Sequence, residues 1–128
     1  MKRVDQTTYG IDDGNCFPAC VASILEIPLE SVPQVFGPSP DFLRWLGDRG
    51  LSATLYKADN FVPRGYAIAA GPSMRFAGRL HACVVYDGAV VHDPHFSREG
   101  LPLGVIDYVV LHGPRGEAMW FSGLPRPS

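Results

Sequence analysis

The 128-residue sequence predicts an α+β domain, with helices first and an antiparallel sheet after them. Three observations carry that reading. Apolar residues in the first half recur at helical spacing, and residues 51–112 hold short apolar and β-branched runs. Two of those runs are joined by Asp87-Gly88, a strong hairpin signal.

Residues 1–15 contain Gly10, Gly14 and Asp12-Asp13 and read as irregular chain ending in a turn. From Cys16 to Glu26, the residues Phe17, Cys20, Val21, Ile24 and Leu25 fall on one helical face. Asn15 is a suitable N-cap, and Pro18 is tolerated because the first turn needs no N–H from it. Pro28 closes the helix, and Leu29–Phe36 reads as a short helix or turn. Asp41 is the expected cap of a second helix over Phe42–Asp48, with Phe42, Trp45 and Leu46 as its stripe and Gly50 as its stop. Strands are expected over Leu51–Ala58, Tyr66–Ala70, Leu80–Tyr86, Ala89–His92 and Val105–His112. The Gly, Pro and Arg content past Gly113 predicts a single domain over 1–113 and a flexible tail over 114–128.

Composition narrows the function classes. At 46% hydrophobic and 19% charged, the chain has the apolar content of a globular domain that needs no disulfide or metal staple. A net charge of -2 with scattered Lys and Arg argues against a nucleic-acid partner. No run of apolar residues is long enough for a membrane span, and Met1–Gln6 is too polar for a secretory signal. Three cysteines without a disulfide spacing point to free thiols and a cytoplasmic setting.

Cys16 is the candidate nucleophile. A thiol attacks a carbonyl as its thiolate, and a helix N-terminus favours negative charge. Asp13-Gly14-Asn15-Cys16-Phe17 places Cys16 there after a flexible turn, with its amide available to an oxyanion. Cys20 and Cys83 lie in apolar surroundings and read as core. A thiol nucleophile needs a base, and the base needs an orienting group. His81 opens one arm of the hairpin and Asp93 closes the other, both at the end far from the turn. A two-residue turn pairs Cys83 with His92 and leaves Asp93 on the face opposite His81. A three-residue turn, or a bulge in the second arm, pairs Cys83 with Asp93 and brings Asp93 within diagonal reach of His81. His92 is therefore the rival third member, and the carboxylate of Asp93 is the better partner for an imidazolium. His95 and His112 carry no pattern and read as surface or loop residues.

These residues resemble papain-like cysteine peptidases, most closely the double-glycine leader peptidases of bacteriocin exporters and their small bacterial and phage relatives. The likeness covers roughly residues 6–110: Cys16 at a helix start, His81 before an apolar strand, Asp93-Pro94 after a short hairpin. It implies a papain-like fold, a Cys16–His81–Asp93 triad, and a cysteine hydrolase acting on a peptide or isopeptide bond of a peptide or protein substrate, without a cofactor. By the same resemblance Gln6, the one glutamine ahead of Cys16, donates to the oxyanion hole, provided Thr7–Gly10 loops out. Asp13-Gly14-Asn15-Cys16 is also similar to the nucleophile motif of ovarian-tumour deubiquitinases, which implies an oxyanion loop including Asp13 and Asn15.

Acyl transfer to an amine uses the same parts as hydrolysis. Two further readings compete. Cys16, Cys20, His92 and His95 form a Cys-x3-Cys and a His-x2-His pair that suit zinc in type but not in spacing. A non-catalytic binding module on the same fold is the other, which retention of Cys16, His81 and Asp93 argues against. Phe36, Trp45 and Phe76 are candidates to line an apolar cleft, and Gly71–Arg79 is a candidate flap.

Overall fold

In the computed structural model, which describes residues 1–59 and 61–115, the chain is α+β. Helices α1 (Cys16–Leu25) and α2 (Pro40–Asp48) pack on a five-stranded antiparallel sheet. A 3₁₀ turn, Leu29–Ser31, lies between the helices. The strands are β1 (Ser52–Lys57), β2 (Tyr66–Pro72), β3 (Leu80–Tyr86), β4 (Ala89–His92) and β5 (Asp107–His112), in the order β1-β5-β2-β3-β4. All but residues 114 and 115 of the expected tail lie outside the described residues. No helix among the described residues is long and apolar enough to cross a membrane.

Every residue of α1 from Phe17 to Ile24 is buried, so the helix has no polar outer face. The reason is the N-terminal segment, which runs along its outer side. Lys2 N–H donates to the Ser23 carbonyl (3.0 Å), Val4 N–H donates to Ser23 Oγ (2.9 Å), and the Met1 ammonium meets Glu26 at 3.2 Å. Ser23 Oγ in turn donates to the Ala19 carbonyl (2.7 Å), which satisfies a hydroxyl that is otherwise buried at a cost. Phe17, Val21 and Ile24 pack with Phe42 and Leu46 of α2 and with Ile68, Val84 and Leu111 of the sheet.

Two helix starts differ from expectation. The cap of α2 is Ser39, whose Oγ accepts from Phe42 N–H at 3.3 Å. Pro40 takes the first helical position, where its fixed φ suits the helix, and this moves the cap two residues upstream of Asp41. Asn15 precedes α1, but its side chain does not cap the helix. It turns back instead, its Oδ1 accepting from the amides of Thr7 (2.9 Å) and Thr8 (3.1 Å).

The hairpin resolves the register. Tyr86 pairs with Ala89 across a two-residue turn in which Asp87 (φ 49°) and Gly88 (φ 85°) both have positive φ. Val85 pairs with Val90, but Val84 pairs with His92, so Val91 is the extra residue of a bulge. That one insertion shifts the end of the hairpin and carries Asp93 toward His81. Next to it, Gly71 on β2 pairs with His81 on β3, and a Cβ at Gly71 would collide with the Gly104 carbonyl oxygen. Only a glycine lets the loop after Gly100 cross so close to the strand.

Candidate active site

The start of α1, the start of β3 and the chain just past β4 converge on one cleft of about 250 Å³. Cys16, partly exposed, and His81, buried, both line it, with Gln6, Tyr9, Arg75 and His95. Behind His81 lies Asp93, 4% exposed, and its Oδ1 accepts from His81 Nε2 at 2.7 Å. This bond engages Nε2 and leaves Nδ1 as the ring nitrogen free of the carboxylate.

Asp93 is held from several sides. Its Oδ1 also accepts from His95 N–H (2.9 Å), and its Oδ2 accepts from Gly100 N–H (2.8 Å). Burial pushes its carboxyl upward, but the His81 hydrogen bond and the two amides outweigh this and hold it at about 2. For His81, burial again opposes the charge. The Asp93 hydrogen bond and the Cys16 and Cys83 thiols outweigh burial and raise the imidazole from 6.5 to about 11. At neutral pH the pair is therefore a buried imidazolium and carboxylate.

His92, the rival third member, is occupied elsewhere. Its Nε2 donates to the Val4 carbonyl at 2.8 Å, which ties β4 to the N-terminal segment. Cys20 is fully buried, and burial pushes its thiol well above 9. Among the described residues, Cys16, Cys20, His92 and His95 do not gather into a metal-ligand cluster. The group with ligand atoms that close is His81, Cys83 and Asp93, within 4.8 Å of one another. There the His81 nitrogen and the Asp93 oxygen are hydrogen-bonded to each other at 2.7 Å.

Gln6 lies in the cleft wall. Thr7–Gly10 does loop out: Gly14 N–H returns to the Gly10 carbonyl (2.9 Å) and Asn15 N–H to the Thr8 carbonyl (3.3 Å). Gln6 N–H donates to the Pro94 carbonyl (3.1 Å), so Gln6 is anchored to the residue after Asp93. Its Nε2 donates to the Thr8 carbonyl at 2.9 Å, while its buried Oε1 has no hydrogen-bond partner among the described residues. Asp13 and Asn15 do not line the cleft. Asp13 is exposed, and Asn15 is a buried tie for the loop ahead of Cys16.

Several features escape the sequence reading. His95, expected in a surface or loop role, does lie in the loop after β4 but is buried in the cleft wall, its ring 6.1 Å from that of His81 and stacked on Phe96. Ser97 N–H donates to His95 Nδ1 (3.0 Å), which places the proton of the neutral ring on Nε2. Burial and the Arg75 and His81 charges push its pKa below 6.5. Cys83 is core as expected, yet it also touches the His81–Asp93 pair, and burial pushes its thiol up. Phe36 and Phe76 line the cleft, whereas Trp45 does not and packs on Phe42 and under Arg49. The candidate flap is shorter than expected because Gly71 and Pro72 belong to β2. What remains, 73–79, is fastened to itself. Ser73 N–H meets the Arg79 carbonyl (2.9 Å), and Ser73 Oγ accepts from the amides of Arg75 and Phe76 (both 3.1 Å).

No family model, no curated protein and no solved structure matches this chain.

Proposed function

We propose that this chain is a papain-like cysteine hydrolase that cleaves an amide, peptide or isopeptide, through Cys16, His81 and Asp93. The observation that carries the reading is the buried 2.7 Å bond from His81 Nε2 to Asp93, with Cys16 in the same cleft as His81. A carboxylate buried beside a histidine has a cost that core packing alone does not require. Its arrangement serves a base that must be held in one tautomer and stabilised when charged.

In this mechanism Cys16 Sγ, as the thiolate, attacks the carbonyl carbon and forms a C–S bond. The developing oxyanion takes hydrogen bonds from the Cys16 amide and from the second N–H of Gln6 Nε2. Asn15 leaves the first-turn amides of α1 uncapped by its side chain, which favours negative charge at Cys16. As the C–N bond breaks, His81 gives its proton to the leaving amine. Water, deprotonated by His81, then cleaves the thioester and restores Cys16. The expected setting is a reducing compartment, since oxidation of Cys16 would stop the first step.

A peptidyl vinyl sulfone tests this directly, because it forms a stable thioether only with an activated thiol. Intact-mass and peptide mapping should show one addition, on Cys16. His81→Ala should slow the addition by about a hundredfold, the usual scale for a lost general base. Addition spread over Cys16, Cys20 and Cys83, or insensitive to His81→Ala, would leave a binding module as the better reading.

A further inference from the structure

The charge of the cleft wall bears on which amide Cys16 attacks. Arg75 and Arg79, both from the 73–79 loop, line the cleft beside Cys16 and His81. Among the described residues, no aspartate or glutamate lines it. In the adjoining hollow of about 80 Å³ the one carboxylate among the described residues is Asp107, which is ion-paired with Lys57 at 3.1 Å. Among the described residues, the acidic partners of the arginines lie on the outer rim. Glu99 is 3.6 Å from Arg75 and Asp12 is 3.5 Å from Arg79, with side chains 54% and 87% exposed. Pairs so long and so exposed hold weakly, so an anion entering the cleft can take over both guanidinium groups. A guanidinium also binds a carboxylate through two parallel N–H groups, which fixes orientation as well as charge. The Ser73 hydrogen bonds described above hold the loop, and with it the backbone of Arg75, in place.

We infer that this cleft selects a substrate with a carboxylate next to the scissile amide, held by Arg75 and Arg79 while Cys16 attacks. The inference rests on the thiol-hydrolase reading. The carboxylate is either an acidic side chain or a chain terminus, and the chemistry of recognition is the same for both.

Two pairs of chloroacetyl reagents test the inference, with Cys16 alkylation rates read by mass spectrometry. One pair is N-chloroacetyl-glutamate α-amide against N-chloroacetyl-glutamine amide, and the other is N-chloroacetyl-glycine against N-chloroacetyl-glycinamide. Cys16 should favour the anionic member of at least one pair about fivefold over the ratio shown by glutathione, the scale of one exposed charge pair. The pair with the larger ratio identifies a side-chain or a terminal carboxylate. In the Arg75→Gln/Arg79→Gln double variant, checked for folding by circular dichroism, the ratio should fall to that of glutathione. The Arg75→Lys/Arg79→Lys variant should recover part of it. Equal anionic and neutral rates, with Cys16 still faster than glutathione, would overturn the inference and leave the hydrolase reading in place. A preference unmoved by the double variant would overturn the assignment to the arginines. If Cys16 reacts no faster than glutathione with any reagent, the hydrolase reading itself fails.

Discussion

At the scale of single residues, the His81–Asp93 pair is the feature with the clearest thermodynamic signature. His81 is raised from 6.5 to about 11, so its contribution to stability is complete below pH 6.5 and is lost as pH rises through about 11. Asp93 is lowered from 3.8 to about 2, so its contribution is complete above pH 3.8 and is lost as pH falls through about 2. One shared interaction thus gives full stabilisation between those two ordinary values, near pH 4 to 6.5, and fades on both sides. Urea denaturation across pH should show both limbs in the native protein, and Asp93→Asn should flatten both. A limb that survives the substitution would belong to other groups. The approach of Cys16, His81 and Asp93 to one another was legible in the sequence because cysteine and histidine are scarce and each of the three sits at an element boundary. His95 was not, because its burial depends on Tyr9, Phe96 and Ser97, which the loop around Asp93 assembles with it.

At the scale of elements, the site depends on irregularities more than on regular structure. The pattern of apolar residues gives α1, α2 and the five strands to within a few residues, since periodicity reports burial directly. It is silent on the bulge at Val91, which decides whether Asp93 or His92 faces His81, because a bulge is one residue of slack with no composition of its own. The cap of α2 turns on a related point: Asp41 and Ser39 are both good caps, and Pro40 between them settles the choice. Gly71 is the tightest of these devices. Gly71→Ala should destabilise the protein by about 1–3 kcal/mol, the usual range for overpacking, because the clash is with the backbone carbonyl of Gly104. A thermal melt should show the midpoint several degrees lower. Since Gly71 pairs with His81, Cys16 alkylation should also slow. An unchanged melt would mean that the loop after Gly100 does not lie on β2 as described.

At the scale of the whole molecule, the cleft belongs to no single element. The N-terminal loop brings Gln6 and Tyr9, α1 brings Cys16, the 73–79 loop brings the arginines, and β3 brings His81. Two long-range ties fasten these pieces: Gln6 to Pro94, and Arg98 to Asp5 through both Nη atoms at 2.6 and 2.7 Å. The first links the loop ahead of Cys16 to the chain that carries Asp93. Such an assembly is legible in a sequence only as an order of residues, Cys then His then Asp, and the pairing of Arg75 and Arg79 on one wall appears only in three dimensions. The most direct test of the account is the iodoacetamide alkylation rate of each cysteine as a function of pH, in the native protein and in His81→Ala. Cys16 alone should react fast well below pH 8, and His81→Ala should remove this advantage. A Cys16 that titrates like a free thiol near pH 8.5, or a rate that His81→Ala leaves unchanged, would contradict the account.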